Sequence, residues 1–71
     1  MRKVIKYEAP WCMSCGALQA QLDKLVEAGT IELERVDVSV NPQAARDAGV
    51  RGLPTLMEDG KMVTLKDLTD A

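Results

Sequence analysis

The 71-residue chain is predicted to be a single α/β domain, residues 1–71, with a mixed four-stranded sheet and helices packed against it. Three observations predict this class. A strand-like run is followed by an amphipathic helical pattern and a second strand-like run. A short second helix follows, and the chain then forms a hairpin. Strands joined through a helix are parallel with a right-handed crossover, so the order βαβαββ requires the hairpin strands to be antiparallel.

The first strand is expected over residues 3–7, where Val4, Ile5 and Tyr7 favour extended backbone. A helix is predicted from about Cys12 or Met13 to residue 28. One apolar face supports it, since residues spaced by three or four positions share a helix face. That face consists of Leu18, Leu22, Leu25 and Val26.

The second strand is predicted over residues 31–38, and its many charges are typical of an edge strand. Apolar and charged residues alternate along this strand, and the alternation changes phase at Arg35-Val36. A bulge is one hypothesis for that change. A short helix is expected over residues 42–48. Asn41 is a good N-cap for it, and Pro42 is a good first helical residue.

Residues 55–65 are predicted to form a hairpin around the turn Asp59-Gly60. Residues 66–71 are expected to add one helical turn, packed through Leu65 and Leu68. The whole chain therefore reads as the order βαβαββ with a short terminal helix.

Composition narrows the classes of partner. The formal net charge is −2 and the basic residues are scattered, which argues against a nucleic acid or a membrane surface as the binding partner. No apolar run approaches the roughly 20 residues of a membrane-spanning helix. The first residues also lack the apolar segment of a signal peptide, so a cytoplasmic location is expected.

The two cysteines, Cys12 and Cys15, are separated by two residues at the predicted start of the first helix. Free backbone N–H groups and the helix dipole stabilise an anion there, which favours the reactive thiolate. The second cysteine lies about one turn further on, within reach of a disulfide. The pair therefore predicts a reversible dithiol switch. The alternative is a dimer that binds zinc or an iron–sulfur cluster through the same cysteines, since one chain without histidine has too few ligands.

Two segments carry a family resemblance. Trp-Cys-Met-Ser-Cys at residues 11–15 follows a strand, and Val-Arg-Gly-Leu-Pro-Thr stands at residues 50–55. Together they resemble the thioredoxin superfamily, and the size is similar to small thioredoxin- or glutaredoxin-like redoxins of phages or bacteria. The resemblance implies a minimal thioredoxin fold without the extra N-terminal strand and helix, and with a truncated C-terminal helix.

The resemblance also implies roles for individual residues. Cys12 would be the exposed nucleophile and Cys15 the more buried resolving thiol. Pro54 would follow a cis peptide bond, which lets the backbone of Leu53 pair with an extended substrate. Trp11 would form one wall of the contact surface, with core filling as the alternative.

The resemblance is incomplete near the cysteines. Lys6 occupies the position of a buried acid in many thioredoxins, and Arg35 that of its accompanying lysine. A nearby cation favours thiolate, so Lys6 is expected to tune the thiol pKa, with a snorkelling side chain as the alternative. Met13 and Ser14 lie between the cysteines, and the resemblance implies that they help to set the redox potential of the pair. The alternative is that they have no effect on it.

The implied function is reduction of protein disulfides, without a cofactor, by a monomer. Candidate clients include a ribonucleotide reductase. Electrons are expected from a thioredoxin-reductase-like flavoenzyme, with glutathione as the second choice.

Overall fold

The predicted α/β architecture is confirmed by a computed structural model, which describes residues 2–69. The elements are β1 (Arg2–Glu8), α1 (Met13–Glu27), β2 (Ile31–Asp37), α2 (Pro42–Ala48), β3 (Thr55–Glu58), β4 (Lys61–Val63) and α3 (Leu65–Thr69). The predicted C-terminal turn is present as α3, and residues 70 and 71 of that prediction lie outside the described residues.

The four strands form one mixed sheet in the order β2-β1-β3-β4. β1 pairs with β2 in parallel, and β1 with β3 and β3 with β4 in antiparallel fashion. β2 therefore lies at an edge, as its charges predicted. Within residues 2–69, no helix is long and apolar enough to cross a bilayer.

The bulge hypothesis for β2 is wrong. Pairing with β1 runs without interruption from Arg2 opposite Ile31 to Glu8 opposite Asp37. Successive residues of a strand point to opposite faces, so Arg35 lies on the α1 side and Val36 on the other. Val36 lines a cavity with Ala44 of α2. The alternation of apolar and charged residues changes phase because Val36 is an apolar residue on the face of the sheet towards α2. The register of the strand does not change there.

The main core lies between the sheet and the helices α1 and α3. Its members come from β1, α1, β2, β3 and α3, and each is at most 3% exposed: Val4, Leu22, Ile31, Leu56 and Leu68. Leu65 packs against this cluster as predicted. The core holds α1 against β1 and β2, and it thereby fixes where the first turn of α1 stands relative to the sheet.

Local caps end the elements where the sequence predicted. The side chain of Asn41 accepts a hydrogen bond from the N–H of Ala44 at 3.3 Å, which begins α2. Gly49 ends α2 with φ of 75°, a left-handed conformation that glycine adopts without a steric penalty. The turn between β3 and β4 places Asp59 and Gly60 at positive φ, as type I′ hairpin turns require.

Candidate dithiol site

The two cysteines are joined by a disulfide at the beginning of α1, and their Cα atoms are 5.4 Å apart. Cys12 is the N-cap residue, with extended backbone, and Met13 is the first helical residue. The N–H of Cys12 donates to the carbonyl of Ala9 at 3.0 Å, which anchors the loop before the helix. The sulfur of Cys12 thus lies where free helix N–H groups stabilise negative charge.

The two sulfur-bearing residues differ in exposure. Cys12 is half-buried, whereas Cys15 is buried with 5% of its surface exposed. A large disulfide substrate can reach Cys12 more readily than Cys15.

A groove, here called the Cys12 groove, runs along the outer side of the disulfide. Its lining residues are Trp11, Cys12, Met13, Ser14, Arg51 and Leu53. Trp11 is 67% exposed and Met13 is 95% exposed. The alternative that Trp11 fills the core is therefore wrong.

The proline loop lies alongside this groove. The Leu53–Pro54 peptide bond is cis, and Leu53 lines the groove directly. Pro54 instead lines a neighbouring apolar cavity with Leu18 and Met62. The hydroxyl of Thr55 donates to the carbonyl of Gly52 at 2.5 Å, which ties the two ends of the loop together.

The Ser14 hydroxyl contacts the outer sulfur, that of Cys12. Its Oγ lies 3.8 Å from Sγ of Cys12, and the hydroxyl is the donor because a disulfide sulfur carries no proton. Ser14 and Met13 are both exposed, so neither packs into the core.

Lys6 reaches the inner side of the site. Its side chain is 1% exposed, so the snorkelling alternative is wrong. Its ammonium donates to the carbonyl of Cys15 at 3.0 Å and to Oε1 of Gln19 at 3.0 Å, and it contacts Oε1 of Glu8 at 2.8 Å. An ammonium group has three donors, and these three acceptors match that number.

Glu8 was not among the residues singled out in the sequence, yet it joins the charges behind the disulfide. Arg35 binds it in bidentate fashion, with Nε to Oε1 at 3.0 Å and Nη2 to Oε2 at 2.7 Å. Strand alternation could have indicated this, because Glu8 and Lys6 share a face of β1 and Arg35 lies opposite Lys6 in the register.

The hydrogen bonds from Arg35, and to a lesser degree from Lys6, lower the pKa of the Glu8 carboxyl below its usual value. A lowered folded-state pKa contributes stability that is present above the unfolded pKa of about 4.3, and that stability is lost as the pH falls through the folded value. We expect the free energy of urea unfolding to decline as the pH falls below about 4.3. The decline should be smaller in Glu8→Gln, and parallel curves for the two proteins would contradict this assignment.

Within residues 2–69, no cluster of three or more histidine, cysteine, aspartate or glutamate residues is placed to hold a metal ion. The cysteine pair alone supplies two thiolates, whereas a structural zinc site takes four ligands. A metal would therefore need ligands from a second molecule.

The thioredoxin family model matches residues 1–70. The chain is 36% identical over 56 residues to thioredoxin of Thiocapsa roseopersicina, covering 76% of this chain and 62% of the relative. It is 34% identical over 56 residues to thioredoxin 1 of a Nostoc species, covering 76% of this chain and 52% of that protein. The chain thus spans between half and two thirds of the length of these relatives.

Solved structures agree with these matches. Oxidised mitochondrial thioredoxin 3 of Saccharomyces cerevisiae superposes with a TM-score of 0.76 at 30% identity, covering 89% of this chain and 62% of that one. An N21Q mutant thioredoxin of Halobacterium salinarum gives a TM-score of 0.73 at 32% identity, covering 89% of this chain and 57% of the other. With the fold, the cysteine pair and the proline loop in place, the chain belongs to the thioredoxin family.

Proposed function

We propose that the protein is a dithiol–disulfide oxidoreductase that reduces protein disulfides through Cys12 and Cys15. The observation that carries this proposal is the disulfide at the start of α1, with Cys12 accessible and Cys15 buried. The family supports the same chemistry.

The first step is attack by the Cys12 thiolate on one sulfur of the client disulfide. A bond forms between Cys12 and that sulfur, the client S–S bond breaks, and the other client sulfur leaves as a thiolate that water protonates. Cys12 suits this step because its N-cap position favours the thiolate and it is the more exposed of the two cysteines.

The second step is resolution by Cys15. Its thiol loses a proton to water or to the departing thiolate, and its sulfur attacks Sγ of Cys12. The mixed disulfide breaks, the client is released as a dithiol, and Cys12 and Cys15 are left oxidised, as in this structure. A two-electron reductant then restores the dithiol. We propose a thioredoxin-reductase-like flavoenzyme, with glutathione as the alternative.

The client is proposed to lie in the Cys12 groove as an extended segment. Trp11 offers an exposed aromatic wall, and Leu53 lines the groove beside the cis-proline Pro54, where its backbone is proposed to pair with the client. Aromatic side chains that are already exposed supply contact area at low cost in conformational entropy. Exposed Met13 extends the apolar wall and can adapt to different clients.

Lys6, Met13 and Ser14 are proposed to tune the thiols. All three donors of Lys6 are already engaged, so its influence on sulfur is through its charge and not through a direct hydrogen bond. The Ser14 hydroxyl can donate to a Cys12 thiolate.

The protein is proposed to work in the cytoplasm as a monomer. A ribonucleotide reductase is proposed as one candidate client.

The test is reduction of insulin by dithiothreitol, followed as precipitation of the freed insulin chain. Catalytic amounts of the native protein should accelerate precipitation. The same protein, reduced and then alkylated with iodoacetamide, should give the rate of dithiothreitol alone. Equal activity before and after alkylation would contradict the proposal. Inactive native protein that carries stoichiometric metal would instead favour the dimeric metal or iron–sulfur protein.

A further inference from the structure

Behind the disulfide lies a cavity, here called the polar cavity, which both sulfur-bearing residues line. Its charged and amide side chains are Lys6, Glu8, Gln19, Asp23, Arg35 and Asp37. The cavity therefore exposes the inner side of the dithiol to a cluster of charges. Of these groups, the dithiol chemistry described above uses only Lys6 and gives no role to Glu8, its ion-pair partner.

Building on the proposed oxidoreductase function, we propose that Glu8 is a positioning residue for the dithiol. Its carboxylate holds the Lys6 ammonium against the carbonyl of Cys15 and offsets one of the two cations beside the sulfurs. Its Oε1 contacts both cations, at 2.8 Å from Lys6 Nζ and 3.0 Å from Arg35 Nε, and its Oε2 accepts a second bond from Arg35 Nη2 at 2.7 Å.

The burial of Lys6 shows why a carboxylate is needed here. An ammonium that is 1% exposed has lost its hydration, and an unpaired buried charge is strongly destabilising. Glu8 is itself mostly buried, with 17% of its side chain exposed, and Arg35 secures it from β2. The ion pair thereby fixes the Lys6 ammonium on the first turn of α1, through the Cys15 carbonyl.

The sign of the charge that a variant removes sets the direction of the electrostatic effect. Glu8 pairs directly with both Lys6 and Arg35, so its carboxylate offsets part of their two positive charges. The two other acids of the polar cavity, on α1 and β2, keep their negative charges when Glu8, Lys6 or Arg35 is substituted. Asp23 accepts a hydrogen bond from Gln19 at 2.6 Å, and Asp37 accepts one from the N–H of Ser39 at 2.9 Å.

Glu8→Gln keeps a side-chain oxygen that can accept from the Lys6 ammonium and removes only the negative charge, so it should favour thiolate. Neutralising a cation should disfavour thiolate. Stabilising the reduced, thiolate-bearing form makes a dithiol pair a stronger oxidant. Glu8→Gln should consequently shift the equilibrium with glutathione toward the dithiol, whereas Lys6→Met should shift it toward the disulfide. If the substitutions only destabilised the first turn of α1, the equilibrium with glutathione would shift in the same direction in both variants.

The experiment measures two quantities on the purified protein and its variants. One is the pH dependence of iodoacetamide alkylation of the reduced protein, and the other is the equilibrium constant for disulfide exchange with glutathione. In Glu8→Gln we expect the midpoint of alkylation to fall and the equilibrium constant to change by up to about tenfold, the equivalent of one pKa unit. Lys6→Met should change both quantities in the opposite sense.

Two further variants keep the test decisive. Glu32→Gln removes the same charge from an exposed position on the other face of β2 and should leave both quantities unchanged. Arg35→Gln alters a side chain that is 55% exposed and should behave as Lys6→Met does, even if Lys6→Met fails to fold. Unchanged values in Glu8→Gln, or shifts of one sign in Glu8→Gln and Arg35→Gln, would overturn the proposal. Neither result would touch the proposed function, because insulin reduction is measured separately.

Discussion

Cys12→Ser is expected to remove catalysed insulin reduction and leave only the background rate of dithiothreitol. Serine cannot form the mixed disulfide, and Cys15, at 5% exposure, is too buried to attack a protein disulfide in its place. The measurement is the rate of insulin precipitation at equal concentrations of native and variant protein. A variant that kept more than a small fraction of the native rate would show that Cys15 can act as the nucleophile.

The matched control is Cys15→Ser, which keeps the attacking thiol and removes the resolving one. This variant should accumulate a mixed disulfide with the client. Mass spectrometry should show it as an added mass that disappears on treatment with excess thiol, whereas Cys12→Ser should form no such adduct. Intramolecular attack has a large effective concentration, so resolution by about 1 mM external thiol should be slower by about a thousandfold or more. An adduct on Cys12→Ser but not on Cys15→Ser would reverse the two assignments.

The local signals in the chain predicted the elements well. Asn41, Pro42 and Gly49 mark the two ends of α2, and Asp59-Gly60 marks the hairpin turn. Each of these signals acts within a few residues, through a cap or through a backbone conformation that the residue type prefers. The position of the cysteines at the start of α1 followed from the same kind of local information.

The network behind the disulfide was harder to predict because it depends on contacts between β1, β2 and α1. The identity of Lys6 suggested a tuning charge, but two of its acceptors, Cys15 and Gln19, lie on α1, which packs against β1. Which carboxylate pairs with a buried lysine depends on strand register and on how α1 packs. For the same reason the phase change at Arg35 looked like a bulge, when it reflects burial on both faces of the sheet.

Leu22→Ala is expected to destabilise the fold by about 2–5 kcal/mol, the usual cost of removing a buried leucine side chain and leaving a cavity. Leu22 is completely buried at the centre of the core that holds α1 on the sheet. Domains have about 0.05–0.15 kcal/mol of stability per residue, so a chain of this length is expected to have about 4–10 kcal/mol in total. The substitution should therefore remove a large fraction of it.

Urea unfolding of the oxidised protein, followed by circular dichroism without reductant, measures this loss. Val26→Ala is the matched control, because Val26 lies on the same helix with 41% of its surface exposed. It should change stability by less than about 0.5 kcal/mol, since surface substitutions rarely do more and alanine favours helix. Equal losses of unfolding free energy in the two variants would mean that the contacts of Leu22 do not hold α1 on the sheet. The position of Cys12 and Cys15 beside the polar cavity would then need another explanation, because it is the packing of α1 on the sheet that brings the Cys15 carbonyl within reach of the Lys6 ammonium.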